Sequence, residues 1–480
     1  MKLSLYTLSD CQLDRKEYER IVDETKRAIL SSFNDDSAYS GLDPLRLRKE
    51  ISSLSILDDE GIGFDAALKE IKEKVMSNLL RTWSRSYMPH LHSPALLESL
   101  AAEMIISAFN DSMDSWDQGP AATEIEVKVI KDLLTLYGFD STKGDGAFTS
   151  GGSQSNMTAI IAARDGYIKE RLGWDVKKKG LPSVFPRLRL YTSAISHFSM
   201  DKSAHILGLG YDAVRHIPVN ERCQVDIPSF EKMVREDIDA GLLPFMAVAT
   251  LGSTDFGSID STDRMREITR EYGMRLHLDA AYGSALILSE RERERLGNVS
   301  LADSITIDFH KMFLLPISCS AILFQKKEDT ELFELHADYL NREEDEEDGF
   351  INLVDKGMQT TRRFDALKVL FSFKARGRKS YASMIEKDLD NARYAYQMLK
   401  NDDSFIAPVY PELSSLVFCL KGGDEINVRV RRHLLSEGIV IGQTKMDGAV
   451  MLKLTLLNPN LEKSDLDSLI AHIKEIAGRI

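Results

Sequence analysis

The chain has 480 residues, 43% of them apolar and 28% charged, and its 75 acidic groups against 61 basic ones give a formal charge of −14. That apolar share is enough for a sizeable core and excludes a chain disordered throughout, while the acidic balance argues against a general binder of nucleic acid or anionic membranes. Four scattered cysteines without a CxxC pair speak against a disulfide framework or a cysteine-zinc site. No apolar run nears the roughly 18 residues of a membrane span, and the start, MKLSLYTLSDCQ, is a poor secretory signal. The expectation is a soluble cytoplasmic α/β enzyme.

In chain order, residues 1–85 read as an N-terminal helical segment, with apolar residues at helical spacing over 14–33 and 64–83. Residues 86–378 alternate helical stretches with short β-rich runs at 188–193, 245–250, 276–279, 304–308 and 320–324. Such alternation predicts a large domain with a mainly parallel sheet covered by helices. Residues 379–480 hold a long helix, the apolar run 416–420, then helix, strand and helix, and read as a small C-terminal α/β domain. The acidic run REEDEED at 342–348 reads by default as a solvated loop or helix face.

Five segments could carry chemistry. Residues 146–156, GAFTSGGSQSN, run from a small β-like stretch through Ser-Gly-Gly-Ser into a helix start. Glycines allow close backbone approach and a helix start offers free N–H groups, so Gly152 and Ser153 could cradle a phosphate; a plain strand-to-helix turn would look the same. His197, in SAISHFSMDK, follows a strand and has no HxH or HExxH partner, so zinc is not expected there. It could stack on a ring or be satisfied by the core. ATLGSTDFGSID, residues 249–260, runs from a strand into a polar turn where Ser253 or Thr254 could meet a ligand or bond locally. In RLHLDAAYG, residues 275–283, Asp279 ends a strand where ligands of parallel sheets bind, or caps the next helix. In DSITIDFHKM, residues 303–312, Lys311 follows a buried strand, where desolvation can turn an ammonium into a nucleophile; a surface lysine is the alternative.

Together, and in this order, these parts suit an aromatic, phosphorylated, aldehyde-bearing cofactor. Its phosphate needs N–H donors, its ring a stacking partner, its pyridine nitrogen a carboxylate and its aldehyde an amine. Pyridoxal phosphate meets that description; no metal is expected.

At these residues the sequence resembles the group II pyridoxal-phosphate-dependent amino-acid decarboxylases. The matching blocks are TSGGSQSN, HFSMDK, LGSTDFGSID, HLDAAYG and DFHK, with DSWDQGPAATEIE at 114–126 and TTRRFDALK at 360–368. The resemblance implies fold type I, the aspartate-aminotransferase-like fold, and assigns roles. Lys311 would form the Schiff base. Asp279 would pair with the pyridine nitrogen, Ala281 lie against the ring and His197 stack on its other face. Thr254 would contact the ring oxygen or nearby groups, Gly152 and Ser153 would bind phosphate, and His310 would neighbour the Schiff base. Tyr339 falls at the place of a mobile-loop tyrosine that would protonate the α-carbon, which would put the acidic run on that loop. Asp308 receives no phosphate role, since a carboxylate repels phosphate unless turned away.

The block around Asp117, with His92 in HLHSP, is similar to the branch acting on 2,4-diaminobutyrate, lysine or ornithine, some members of which serve siderophore or polyamine synthesis. A carboxylate such as Asp117 near the substrate would favour a cationic side chain. Leu314-Leu315-Pro316 departs from the branch, whose members often carry a polar residue before the proline. Competing readings are a decarboxylase of aromatic or acidic amino acids, a transaminase, and a non-catalytic scaffold of the same fold. The family also implies a homodimer whose sites are completed by the second subunit.

Overall fold

The computed structural model describes residues 7–9, 11–34, 36–336 and 348–479. It divides into two compact units: one of 91–418 with 456–459, the other of 1–90, 419–455 and 460–480. Strands are numbered along the chain.

In the smaller unit, β1 (Tyr87–Met88) pairs in parallel with β11 (Val440–Met446), which pairs antiparallel with β12 (Ala449–Thr455). Asp447 and Gly448 join β11 to β12 at φ of 50° and 84°. A two-residue loop with both φ positive matches the right-handed twist of its strands, and Asp-Gly is its favoured sequence. The helix Gln12–Ser31 covers most of the stretch predicted at 14–33. The one predicted at 64–83 stops early: Phe64–Glu70 passes through a π turn and a 3-10 turn that ends at Asn78. There the backbone leaves the helix to bond elsewhere, with Arg81 N–H donating to Ala38 O at 2.9 Å and the buried Arg81 guanidinium to Ser37.

The larger unit is built on a seven-stranded sheet ordered β2-β8-β7-β6-β5-β3-β4. Its members are β2 (Asp145–Thr149), β3 (Leu188–Ser193), β4 (Val214–Ile217), β5 (Leu243–Thr250), β6 (Arg275–Asp279), β7 (Ser304–Asp308) and β8 (Ser320–Phe324). Only β8 runs against its neighbours; the pairs from β4 through β7 are parallel. The mainly parallel sheet expected from the alternating pattern is therefore present. Side chains of a strand alternate between faces, and β5 shows it: Ala247 and Ala249 join one core cluster, Met246 and Val248 another. Both faces are buried, so these strands read as unbroken apolar runs.

Two sequence blocks more than two hundred residues apart meet beside the sheet. Arg362 makes two bonds to Glu126, at 2.8 and 3.1 Å, and Glu126 is fully buried. A forked pair of this kind fixes orientation as well as charge. Lys368, also fully buried, pairs with Glu103 and Asp365 and donates to the carbonyls of Pro316 and Ser318. The long helix Ala366–Lys400 breaks at Gly377, whose φ of 68° and ψ of 166° lie outside the helical region.

Candidate active site

The parallel strands share a direction, so their C-terminal ends lie on one edge of the sheet, and ligands of open α/β sheets bind there. A cavity of about 310 Å³ occupies that edge. Each predicted chemical segment is the turn leaving one strand: 150–153 after β2, His197 after β3, Thr254 after β5, Asp279 and Ala281 at the end of β6, His310 and Lys311 after β7. All of these residues, from Gly152 and Ser153 to Lys311, line the one cavity.

At one end lies the start of the helix Gly152–Leu172, with Gly151 before it at φ 146°. First-turn N–H groups such as those of Gly152 and Ser153 have no intrahelical acceptor and favour an anion. A Cβ at Gly152 would stand 2.9 Å from Asp308 Oδ2, so a larger residue there would have to displace that carboxylate. The Asp308 carboxylate is turned into protein contacts: Oδ1 accepts from Ser320 Oγ at 2.5 Å, and Oδ2 faces Lys311 Nζ at 3.1 Å. Lys311 is thus held by a carboxylate, where the sequence suggested an amine alone in apolar surroundings.

At the other end Asp279, buried, accepts from Ala281 N–H at 3.2 Å and from Asn156 Nδ2 at 3.0 Å. His197 lines the same cavity and feels the charges of Asp279, Lys311 and Asp308. Burial depresses its pKa and the Lys311 charge adds to that, against the opposing pull of Asp279 and Asp308. The Ser199 N–H donates to His197 Nδ1 at 3.2 Å, which leaves the ring proton on Nε2. Burial likewise lowers His310, whose Nδ1 lies 3.3 Å from the Cys319 N–H.

The turn carrying Thr254 is held by Asp260, which accepts the Thr250 and Val225 N–H groups at 2.8 Å each. Burial pushes its carboxyl up to about 7. Thr250 also lines the cavity, and its Oγ1 is buried without a partner among the described residues.

The remaining predicted residues stand apart. His92 is partly buried near His310, and burial with that neighbouring imidazole lowers its pKa; Leu91, not His92, lines the cavity. Asp117 is exposed on the single turn Trp116–Gln118, where Ser115 Oγ donates to it, and does not border the cavity. Tyr339 lies outside the described residues. Sequence reasoning missed Asn156, Thr250, Ile317 and Ser318, which also line the cavity. Asn156 closes the quoted block TSGGSQSN, and its place one turn into a helix that starts at the cavity was the available signal.

The donor set fits pyridoxal phosphate: an amine, a carboxylate and an imidazole in one cavity, a glycine cradle and a hydroxyl unpartnered among the described residues. Residues 57–421 match the model of the pyridoxal-dependent decarboxylase conserved domain. The L-2,4-diaminobutyrate decarboxylase of Acinetobacter baumannii is 36% identical over 97% of this chain and 93% of its own length. That of Rhizobium meliloti (strain 1021) is 37% identical over 96% and 90%. The crystal structure of the glutamate decarboxylase domain of diaminobutyrate-pyruvate transaminase and L-2,4-diaminobutyrate decarboxylase from Vibrio parahaemolyticus superposes with a TM-score of 0.91 at 35% identity, covering 99% of this chain and 98% of that one. With its fold type I sheet and this cavity, the chain belongs to the pyridoxal-dependent decarboxylase family and is a pyridoxal-phosphate-dependent amino-acid decarboxylase.

Proposed function

We propose that this decarboxylase acts on a basic diamino acid, 2,4-diaminobutyrate before ornithine or lysine, and releases the diamine and carbon dioxide. The observation that carries the substrate is the 36% and 37% identity, over nearly the whole chain, to two relatives named for that activity. The net charge of −14 adds a favourable field for a cationic substrate.

Bound pyridoxal phosphate supplies an electron-withdrawing ring that takes up the electron pair left as the carboxylate departs. The chain's residues supply the rest. Lys311 provides the amine that holds the cofactor, and Asp308, 3.1 Å away, orients that amine. Asp279 places negative charge to hold a proton on the ring nitrogen. Gly152 and Ser153 would offer N–H groups to the phosphate, Thr254 would meet a ring substituent, and His197 and Ala281 would lie against the ring. Tyr339 would return a proton to the α-carbon, directly or with His197 or a water.

The working enzyme is proposed to be a cytoplasmic homodimer. Along the helix Leu97–Phe109, Leu97 and Phe109 are 74% and 78% exposed, and Leu100, Met104 and Ile105 are exposed with them. Contiguous exposed apolar surface on this scale marks an interaction face. The four cysteines are scattered along the chain without a CxxC pair, which suits a reducing compartment. A diamine product would serve siderophore or polyamine synthesis.

The test is a panel of 2,4-diaminobutyrate, ornithine, lysine, glutamate and tryptophan, scored for carbon dioxide, amine and keto acid. The reading predicts 1,3-diaminopropane from 2,4-diaminobutyrate at the highest kcat/KM. Preference for glutamate or tryptophan would overturn the substrate, and a keto acid without carbon dioxide would identify a transaminase.

A further inference from the structure

The Asn156 carboxamide sits at the Asp279 end of the cavity with all four of its hydrogen-bonding capacities used. Its Nδ2 donates to Asp279 Oδ2 and to Ser199 Oγ, each at 3.0 Å. Its Oδ1 accepts from Thr306 Oγ1 at 2.8 Å and faces His277 Nε2 at 3.0 Å. Asn156, Ser199, His277 and Thr306 are all buried to within 1%, so water does not replace a lost partner.

The bonds fix one direction. The Asp279 carboxylate only accepts, so the amide must turn its NH₂ toward it. The amide oxygen then faces His277, whose Nε2 must donate. Its Nδ1 is left to accept from Ser304 Oγ at 2.8 Å. Burial drives the His277 pKa down to about 4, so the ring is neutral at ordinary pH, and of its two tautomers only the Nε2–H form offers a donor to the Asn156 oxygen. The same amide reaches the second ring-binding group, because Ser199, which accepts its other N–H, also gives its backbone N–H to His197 at 3.2 Å.

We infer that Asn156 is the positioning residue of this site: one amide, oriented by His277 as the Nε2–H tautomer, holds Asp279 and the Ser199 turn bearing His197 in a single arrangement. Asp279 and His197 are therefore set together. The inference rests on the pyridoxal-phosphate reading of the site and adds two residues that act through Asp279 and His197.

The test compares Asn156→Asp, His277→Leu and His277→Gln, the last keeping a donor near the ε position. Cofactor-stripped protein is titrated with pyridoxal phosphate by tryptophan fluorescence, and kcat and KM are measured at saturating cofactor. Bonds to charged groups of this kind are worth about ten- to a hundredfold. Asn156→Asp should raise the cofactor dissociation constant and lower kcat by that factor, with KM changed less than about threefold. His277→Gln should recover at least half of what His277→Leu loses on a logarithmic scale. A purely structural role would lower the melting temperature of His277→Leu and leave cofactor affinity and kcat untouched, and that result overturns the inference. So does equal behaviour of the two His277 variants. If Asn156→Asp fails to fold, ¹⁵N-histidine spectra of the wild-type protein decide: a neutral Nε2–H ring at 277 upholds the relay and an Nδ1–H ring refutes it. Borohydride labelling of Lys311 at high cofactor concentration should survive in every variant; its absence from the wild type would instead strike at the cofactor reading.

Discussion

The floor of the cavity and the determinants of substrate choice are built by different means. The floor is made of strand ends: Asp279 closes β6, Lys311 follows β7, and their neighbours hang on the same buried sheet. The groups assigned to substrate choice have no such frame. Asp117 is exposed on a single turn and His92 is partly buried, and neither borders the cavity. Strand ends on a buried sheet are held rigidly, whereas exposed turns can vary without disturbing them.

The sharpest way to break this contrast is at the floor. Lys311→Ala should cut amine production by at least about a thousandfold, because among the described residues no other lysine lines the cavity. Residual turnover near the wild-type level would show that the floor is misassigned.

Acid should strain the floor next. His277, neutral in the fold with a pKa of about 4, takes up a proton more readily once unfolded, where the ordinary value is 6.5. The unfolded state therefore binds more protons between those values. The stability His277 confers is whole above about pH 6.5 and is lost as pH falls toward about 4, by on the order of 3 kcal/mol. Melting curves between about pH 7 and pH 4 should show a steeper fall for the wild type than for His277→Gln; parallel curves would contradict a buried neutral imidazole.

Phe109→Glu addresses the periphery. A carboxylate in the proposed apolar dimer face should weaken self-association by about a hundredfold or more, read by sedimentation. If a second subunit completes the substrate end, the variant should lose turnover and keep borohydride labelling at Lys311. An active monomer would remove the homodimer.

The smallest effect is expected at Asp117. Asp117→Asn should raise KM for 2,4-diaminobutyrate about fivefold, the size of one exposed charge pair, and leave a neutral amino acid unchanged. Equal changes for both would discard the role of Asp117 in choosing a cation.

This contrast also governs what was legible in the sequence. Apolar runs ending in His197, Asp279 and Lys311 could be read because strand and turn signals are local, and the strands Leu188–Ser193, Ser304–Asp308 and Ser320–Phe324 fall where the pattern puts them. Asn156 gives a weaker signal, its place one turn into a helix, and its meaning lies in contacts with residues 199, 277, 279 and 306. The Glu126–Arg362 fork, formed across 236 residues of chain, is invisible for the same reason. The helix expected to reach 83 ends at 78, where the backbone bonds of Arg81 outweigh a periodic pattern.

The most direct test is borohydride reduction of the purified protein loaded with pyridoxal phosphate, followed by peptide mass mapping. A pyridoxyl adduct on Lys311, lost on adding 2,4-diaminobutyrate before the reductant, is the predicted result. An adduct on another lysine, or none in fully folded protein, would contradict it.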